Sequence, residues 1–343
     1  MVTEIMEMLD IKKDGVYVDA TAGTGGHSVE ILKRLGPDGR LIALDRDFKA
    51  LAATRVRLEE AGFTSVEAGD GAAAASGSRP SGLDGGAAPC VNETSAETSA
   101  GRFFLVRGNF SDVAEHITGC GFSDVDGILM DLGMSMMQLK TPDRGFGFDS
   151  DARLDMRMDT EAELTAWDVV NRTPEEELGR ILLSLGEEYR FRKVARAICQ
   201  SRGDKSSGKS PIKSSGKSPG KMPGKSIDTC RELAALVESA LGRSGRTHPA
   251  TKTFQALRIC VNDELLELEK ALERVPAALK PGGRLCVLSY HSLEDGRVKR
   301  FLRQKSGEKV FQILTKKPLT ATALEMKENP SARSAKLRGG MKL

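Results

Sequence analysis

A short apolar run that passes directly into a glycine-rich turn constrains this chain more than any other segment. From Val16 the sequence reads Val-Tyr-Val-Asp-Ala-Thr-Ala-Gly-Thr-Gly-Gly-His, which predicts a buried strand ending at Asp19, a tight turn, and a helix beginning near His27. The three glycines let the backbone bend sharply and approach a ligand, because no Cβ stands in the way. The first turn of the helix then presents free N–H groups to that ligand. The segment predicts a site for a nucleotide-like cofactor.

The acids around this turn indicate which cofactor it is. The next predicted strand ends in Asp45, about twenty residues after the first glycine, where an acid typically hydrogen-bonds a ribose diol. A dinucleotide fingerprint requires Gly or Ala at its third position, and this chain has Ser28 there. The carboxylate of Asp19 suits positive charge better than phosphate. The pattern therefore favours S-adenosylmethionine, which carries a sulfonium and an amino group, over a dinucleotide, while a purely structural strand–turn–helix unit stays open.

Length and composition exclude several classes of protein. The 343 residues are enough for about two domains. The formal net charge is only +3, so a nucleic-acid surface has to come from local clusters of cations. The six cysteines form no C-x-x-C pair, which argues for a reducing compartment and against structural zinc, and no metal is expected. No apolar run is long enough to span a membrane and no signal peptide is evident, so we expect a cytoplasmic protein.

The order of predicted elements indicates an α/β fold. Apolar runs of about five residues alternate with helical patterns, which favours a mostly parallel sheet covered by helices. These runs lie at 16–20, 40–45, 103–107, 125–131 and 284–290. The gap between the last two runs is too long for one crossover and reads as mostly helical. We therefore predict a sheet domain formed by 1–139 and 247–343, with an inserted helical domain at 140–246.

Two segments have compositions that cannot build a core. Residues 68–101 consist largely of Ala, Gly, Ser and Thr, and 203–226 contains the sequence Lys-Ser-Ser-Gly-Lys-Ser-Pro twice. Both are predicted to be disordered surface insertions. The second one matches the phosphate-loop pattern at 203–210, but it follows a basic helix and not a strand, so we discount nucleotide binding there.

Polar residues follow several of the predicted strands. Ligands bind beyond the carboxyl ends of the strands in an open parallel sheet, so residues after each strand should converge on one crevice. Asp131 and Gln138 follow the fourth strand, and Phe110 follows the third. A helix cap is the alternative role for Asp131, and core packing is the alternative for Phe110. His291 follows the fifth strand, where it either moves a proton or is a loop histidine satisfied by its neighbours.

Basic residues form local groups that suit a phosphate backbone. Arg192 and Arg196 share one helix face, and Lys252 and Arg258 lie on a helix that His248 opens. The full groups are Arg190, Arg192, Lys193, Arg196 and Arg202, then Arg297, Lys299, Arg300 and Arg303, then Arg333, Lys336 and Arg338. Solvated helix faces would explain any one group alone. Aromatic residues are sparse among them, which argues against an extended base-stacking platform.

Taken together, the motifs resemble one family, the RsmH (MraW) small-subunit ribosomal RNA cytosine-N4 methyltransferases. The resemblance covers nearly the whole chain outside the two low-complexity segments. It rests on DATAGTGGHS, ALDRD, DGILMDLGMS, GFGFD with LDMRMD, GEEYRFRKVARAI, HPATKTFQALRICVNDEL, LSYHSLEDGRVKRF and NPSARSAKLR, in that order.

The resemblance implies a class I, Rossmann-like S-adenosylmethionine-dependent methyltransferase. Its expected reaction is N4-methylation of one cytidine in the decoding region (P site) of bacterial 16S rRNA, within the small ribosomal subunit. The helical insertion would help to hold the rRNA, and a homodimer is an assembly that the resemblance allows. Carried over by motif, the donor site comprises Gly25, Gly26, His27, Asp45, Phe110, Asp131 and Gln138. We expect Asp131 also to act in catalysis, and Arg192, Arg196, Lys252, Arg258 and His291 to contact RNA.

The chain departs from the family pattern in two places. The family usually reads Val-Ser-Ser-Pro-Gln after Asp-Leu-Gly, and this chain has Met134-Ser135-Met136-Met137-Gln138. The leading His-x-Pro-Val element does not precede Met1, and we expect a misplaced start codon to be the reason. Three alternatives stay open: a methyltransferase of DNA or another RNA, a nucleic-acid-binding module without catalysis, and a dinucleotide oxidoreductase. The first lacks the Asp/Asn-Pro-Pro-aromatic signature of amino-directed DNA enzymes.

Overall fold

A computed structural model gives the fold of the chain, and it describes residues 1–66, 101–135, 137, 141–203, 225–243 and 247–343. The chain divides into two compact units. The sheet unit comprises Met1–Leu132 and Lys270–Leu343, and the helical unit comprises Gly133–Glu269. Within the described residues, no helix has the length and apolar character that a membrane crossing requires.

The described strands of the sheet unit form one mostly parallel sheet in the order β3-β2-β1-β4-β5-β8-β6, with β7 paired to β8. The strands are β1 (Val16–Asp19), β2 (Arg40–Asp45), β3 (Phe103–Arg107), β4 (Val125–Asp131), β5 (Leu279–Ser289), β6 (Phe311–Ile313), β7 (Leu319–Thr320) and β8 (Lys336–Lys342). The pairs among β1 to β5 are all parallel, and β8 runs antiparallel to both of its neighbours in the main order. This topology confirms the predicted α/β class with a mostly parallel sheet.

Helices accompany the sheet as the alternating pattern predicts. Those of the sheet unit are α1 (Val2–Leu9), α2 (Gly26–Arg34), α3 (Phe48–Glu60), α4 (Val113–Gly119), α11 (Ser292–Gly307) and α12 (Ala323–Glu328). β1 is buried along its whole length, and its neighbours β2 and β4 are buried except at their ends, because helices can cover both faces of a parallel sheet. The largest side chains of this core, such as Tyr17 and Phe103, are almost fully buried.

The helical unit has its own hydrophobic core. Its helices are α5 (Ala166–Arg172), α6 (Glu175–Gly186), α7 (Phe191–Ser201), α8 (Cys230–Leu241) and α9 (Thr251–Asn262), and α10 (Glu264–Ala278) carries the chain from this unit into the sheet unit. Apolar side chains from α5 to α9 pack together with those of the preceding irregular segment, including Leu154 and Met156. The acidic first turn of α6 lies directly after Pro174, and negative charge is favourable at a helix N-terminus.

The boundaries of the units differ from the predicted ones. The helical domain was expected at 140–246, and the compact unit runs from Gly133 to Glu269. The difference at the far end has a packing reason, since α9 packs closely against α6 and completes the helical core. The predicted low-complexity segments at 68–101 and 203–226 lie almost entirely outside the described residues, in 67–100 and 204–224.

Candidate functional site

Three aspartates lie at the carboxyl ends of adjacent strands in the sheet unit. β1 lies between β2 and β4, and Asp19 at its end pairs in register with Ala43 and Leu129. Asp45 and Asp131 end the two flanking strands, two residues beyond those partners. Because neighbouring strands lie about 4.8 Å apart, the two outer acids lie on strands about 10 Å apart, on either side of β1.

The glycine-rich turn is fixed between β1 and α2. The backbone N–H of Gly23 donates to Asp45 Oδ2 (2.9 Å), and the hydroxyl of Thr54 donates to the carbonyl of Gly23 (3.0 Å). Gly25 has a φ of +76°, and a Cβ there would lie 3.2 Å from Thr54. A Cβ on Gly26 would meet only Arg57, at 3.8 Å. Conformation and space therefore require glycine at 25, whereas the bare backbone at 26 leaves room for a ligand.

Asp45 has hydrogen-bonding capacity to spare. Its Oδ2 accepts from Gly23 and its Oδ1 accepts from the backbone of Asp47 (2.8 Å), which leaves further lone pairs on both oxygens. Burial raises the pKa of Asp45 to about 6, even though those two backbone donors act to lower it. The loop after β3 is tied to the same place, since Gly108 N donates to the carbonyl of Asp45 (3.1 Å). Phe110, two residues further on, is half-buried in a short 3₁₀ turn.

Asp131 is held by groups from three elements. Its backbone N–H donates to the hydroxyl of Thr21 (2.6 Å), and its Oδ1 accepts from the hydroxyl of Tyr290 (2.9 Å). Its Oδ2 lies 3.4 Å from His27 Nδ1, and a quarter of its side chain is exposed. Burial raises the pKa of Asp131, and the negative charges of Asp19 and Glu294 act in the same direction, while His27 and Tyr290 oppose the rise. The result is an oriented carboxylate in an environment that disfavours its charge.

Asp19 differs from the sequence-based expectation. Its carboxylate was expected to pair with the positive charge of a cofactor, and the structure buries it almost completely. Its oxygens accept hydrogen bonds from Ser28 Oγ (2.6 Å) and from the backbone of Thr21 (3.3 Å). Burial raises the pKa of Asp19 as well, although His27 and Ser28 counteract it. The buried charge of Asp19 can therefore act on a ligand only through its electric field, and its hydrogen bonds hold the turn. Asp131 is the acid whose side chain is partly exposed.

Of the other predicted donor-site residues, three lie together at the start of α2 and one lies outside the described residues. Gly25, Gly26 and His27 form the start of α2, beside Asp131. Gln138 lies outside the described residues, as does Met136. Its predicted role in donor binding therefore stays a prediction.

Three of the predicted RNA contacts are exposed cations of the helical unit. Arg192 lies over the ring of Phe191 (4.8 Å to the centroid), and Arg196 is 3.8 Å from Glu175 with 62% of its side chain exposed. Lys252 lies over the ring of Tyr189 (5.1 Å). These side chains are open to solvent and stay candidates for phosphate binding.

The structure gives the other two predicted RNA contacts different partners. Arg258 is largely buried and forms a two-pronged ion pair with Glu264, through bonds of 2.8 and 3.0 Å. Its guanidinium therefore does not project to solvent for a phosphate. His291 caps α11, because its Nδ1 accepts from the backbone of Glu294 (3.4 Å) in a reciprocal capping box. Its Nε2 lies 3.1 Å from Glu294 Oε1, and its predicted contact with RNA stays a prediction.

In the third basic group, Arg338 has a structural role. Arg338 is only 6% exposed and forms an ion pair with Asp295 in which Nε lies 2.6 Å from Oδ1. Although burial acts to raise the pKa of Asp295, the hydrogen bonds and charge of Arg338 hold it below its usual range. Arg338 sits on β8, where it joins that strand to α11. This cation stabilises the sheet unit and is not free for a ligand.

Comparison with known proteins identifies the family. A family model described as the MraW methylase family matches residues 1–68 and 90–342. Ribosomal RNA small subunit methyltransferase H of Koribacter versatilis is 40% identical over 339 residues, which cover 98% of this chain and 90% of that protein. The chain belongs to the MraW methylase family. The protein of the same name from Solibacter usitatus is 39% identical over 338 residues, covering 98% and 96% of the two chains.

A solved structure gives a further comparison for this MraW methylase. An rRNA methylase from Streptococcus thermophilus aligns with 100% of this chain and 93% of its own, with 11% sequence identity and a TM-score of 0.40. Family membership makes the chain a methyltransferase with S-adenosylmethionine as its methyl donor. The alternative of a dinucleotide oxidoreductase is therefore wrong.

The residues of the crevice fit this donor. The unused lone pairs of Asp45 can accept from ribose hydroxyls, and the glycine turn lets the backbone come close. A donor with a sulfonium and an ammonium group would relieve the unfavourable charge of Asp131 and of Asp19 beneath it, since burial raises the pKa of both acids. A phosphate-bearing cofactor would instead add negative charge to this wall.

Sequence reasoning missed two hydroxyl groups of this site. Tyr290 and Thr21 hold Asp131 by its carboxylate and its backbone. Both residues directly follow the end of a strand or lie in the turn after it, as the acids do. That position at the carboxyl edge of the sheet is the signal that would have found them.

Proposed function

We propose that this methylase transfers a methyl group from S-adenosylmethionine to the exocyclic N4 atom of one cytidine in the decoding region (P site) of 16S rRNA. The observation that carries the proposal is the oriented, partly exposed carboxylate of Asp131 at the carboxyl end of β4. The curated relatives named ribosomal RNA small subunit methyltransferase H support the class of substrate.

Cytosine N4 is a poor nucleophile, because its lone pair is delocalised into the ring. S-adenosylmethionine supplies a methyl group activated by a positively charged sulfur. The protein therefore has to hold the amine in line with that methyl group, and positioning should account for most of the acceleration. The target base must also leave its stack to reach an atom inside a pocket.

Asp131 is the group that we assign to the amine. Its carboxylate accepts a hydrogen bond from N4–H, which stabilises the positive charge that develops on nitrogen during transfer. Tyr290 and His27 already orient its two oxygens, so little reorganisation is needed when that charge appears. Because burial raises its pKa, Asp131 also accepts the departing proton more readily than an exposed aspartate would.

The remaining parts of the proposal concern partners. Exposed Arg192, Arg196 and Lys252 of the helical unit would contact phosphates of the rRNA. The natural substrate would be the small ribosomal subunit in the cytoplasm. A homodimer is the assembly that the resemblance allows, and sedimentation of the purified protein tests it.

The proposal is tested by methyl transfer from labelled donor to small subunits that lack this modification. Asp131→Ala should lower the rate about 10²- to 10⁴-fold, since it removes the acceptor of the amine proton. Asp131→Asn should also be slow, because an amide cannot take up a proton. Asp38→Ala removes an exposed acid and should leave the rate unchanged.

Two measurements separate the roles of Asp131. Calorimetry with S-adenosylmethionine gives the donor affinity of each variant, so a binding defect is not mistaken for a catalytic one. Nucleoside mass analysis of the product identifies the methylated atom. Full turnover by Asp131→Ala at saturating donor, or methylation at an atom other than N4 of cytidine, would contradict the proposal.

A further inference from the structure

The helical unit displays an exposed aromatic ring with a lysine over its face. Tyr189 is 78% exposed, more than any other large hydrophobic side chain of the described residues. The ammonium group of Lys252 lies 5.1 Å from the centre of its ring, and the same Nζ donates to the carbonyl of Glu187 (2.8 Å). One face of an exposed ring is thus paired with a fixed positive charge.

The backbone that carries Tyr189 is held in place. α6 ends at Gly186, and Glu187 adopts a left-handed conformation with a φ of +52°. The buried side chain of Glu188 accepts a hydrogen bond from the backbone N–H of Arg190 (2.8 Å). A Cβ on Gly186 would lie 2.4 Å from the carbonyl of Lys252, so this turn packs directly against α9. The ring therefore projects from a rigid turn, and ordering it for a ligand costs little conformational entropy.

Lys252 on the ring, and the exposed cations that follow Tyr189 closely in the chain, indicate the kind of ligand. Arg192 and Lys193, at the start of α7, are exposed, as are Arg196 one turn further on and Lys252. A surface that binds another protein would typically place apolar side chains around an exposed tyrosine. One cation on an aromatic face, with further exposed cations on the next helical turns of the chain, instead matches a base with its neighbouring phosphates.

We propose that Tyr189 and Lys252 form a stacking site for one unpaired RNA base, whose flanking phosphates Arg192 and Lys193 contact. This inference rests on the proposed function and specifies the substrate class for the helical unit: single-stranded rRNA and not a duplex. A paired base offers no free face to Tyr189, whereas every unpaired base does, so binding should depend little on sequence.

The test uses the full-length protein and a fluorescein-labelled uridine octamer, which contains no cytidine to enter the donor crevice. Tyr189→Ser should weaken octamer binding roughly 5- to 150-fold, the loss expected for one base–aromatic stack. Tyr189→Phe keeps the ring and should stay within about twofold. Phe48→Ser removes another exposed ring, which belongs to the sheet unit, and should have no effect. Binding of an RNA duplex should be the same for all four proteins.

A photochemical experiment locates the contact directly. An octamer with 5-iodouridine at its centre, irradiated on the wild-type protein, should crosslink to the peptide that contains Tyr189. The fluorescence of Trp167, in the same unit, reports whether each variant is folded. Octamer affinity that Tyr189→Ser leaves unchanged, or a crosslink confined to other peptides, would overturn the inference.

The outcome can be separated from that of the proposed function. If the wild-type enzyme methylates small subunits while Tyr189→Ser binds the octamer normally, only the stacking site fails, and a protein partner becomes the occupant to examine. The opposite result is that the wild-type enzyme methylates no small subunit, while the Tyr189→Ser variant binds the octamer more weakly than the wild type does. In that case the stacking site stands and the proposed reaction fails.

Discussion

At the scale of single residues, the phenolic hydroxyl of Tyr290 determines how Asp131 is presented. It donates to one carboxylate oxygen and leaves the other facing His27. Burial and the nearby acids Asp19 and Glu294 raise the pKa of Asp131, and the hydroxyl acts against that rise. Tyr290 is therefore a positioning residue in the proposed reaction, since it keeps the carboxylate both oriented and ionised.

Tyr290→Phe should move the acidic limb of the pH–rate profile upward by about one pH unit, the size expected for loss of a hydrogen bond to a charged group. The sign follows from the ionisation of Asp131: without the hydroxyl its pKa rises further, so the active carboxylate is lost at a higher pH. The profile should be measured at saturating donor and RNA.

The control for this change is Ser184→Ala, which removes an exposed hydroxyl in the helical unit. Its pH–rate profile should coincide with that of the wild type. Identical acidic limbs for Tyr290→Phe and the wild type would show that the hydroxyl does not support the ionised form of Asp131.

The residues that sequence reasoning placed well and badly differ in a physical way. Asp45 and Asp131 could be located because each ends a predicted strand, and the ends of parallel strands share one edge. Arg258 and His291 were predicted to contact RNA, but Arg258 forms an ion pair and His291 caps a helix. The sequence does not distinguish these roles, because the partner of Arg258 and the start of α11 are set by the fold.

At the scale of elements, the irregular segment before α5 depends on one glycine. Gly145 has a φ of +70°, and a Cβ there would lie 2.5 Å from the carbonyl of Arg153 and 2.9 Å from the backbone N of Asp155. The segment contributes Leu154 and Met156 to the helical core. A substitution of this glycine should therefore lower the stability of the whole helical unit.

Gly145→Ala should lower the free energy of unfolding of the helical unit by about 2 kcal/mol or more, from backbone strain and overpacking together. Urea unfolding followed by the fluorescence of Trp167, the single tryptophan, reports this unit. Gly147→Ala is the control, because nothing lies within 4 Å of the added Cβ, and it should change stability by less than about 0.5 kcal/mol. Equal midpoints for the two variants would contradict the assignment.

The strands show where pattern reasoning succeeds at this scale. The five parallel strands were predicted because each is a short apolar run with a helix pattern after it. The antiparallel β8 was missed, since its sequence Lys-Leu-Arg-Gly-Gly-Met-Lys has neither a continuous apolar run nor a clean alternation. Its two glycines serve packing: a Cβ on Gly339 would lie 2.2 Å from Met8, and one on Gly340 would lie 2.6 Å from Leu302. Only the three-dimensional neighbours reveal that need.

At the scale of the whole molecule, backbone hydrogen bonds join the residues on the two sides of the first low-complexity segment. Val66 N donates to the carbonyl of Phe103 (2.8 Å), and Arg102 N donates to the carbonyl of Thr64 (2.7 Å). The chain therefore departs and returns at adjacent positions. The family match is also interrupted here, between residues 68 and 90.

Replacing residues 68–100 with a four-residue Gly/Ser linker should leave the fold and donor affinity intact. The shorter loop should increase stability by about 1–2 kcal/mol, because closing it costs less chain entropy. Thermal unfolding followed by circular dichroism and calorimetric titration with S-adenosylmethionine check the two expectations. A folded variant with weakened donor binding would show that the deleted residues contribute to the site.

The spacing of the strand-like runs predicts a sheet domain with a helical insertion, and the compact units have other limits than the predicted ones. The sequence of α9 predicts an amphipathic helix without indicating which unit it joins. That choice is made by packing of its apolar face against α6, which extends the helical unit to Glu269.

The acids at the end of the sheet also tie occupancy of the crevice to the surrounding pH. Because burial raises the pKa of Asp45 to about 6, we expect the enzyme without donor to be partly protonated at Asp45 near pH 6. A ribose that binds to the carboxylate displaces that proton into the medium. At pH 6 the observed heat of donor binding should therefore depend on the ionisation enthalpy of the buffer. At pH 8 the carboxylate of Asp45 is already deprotonated, so the heat should not depend on the buffer.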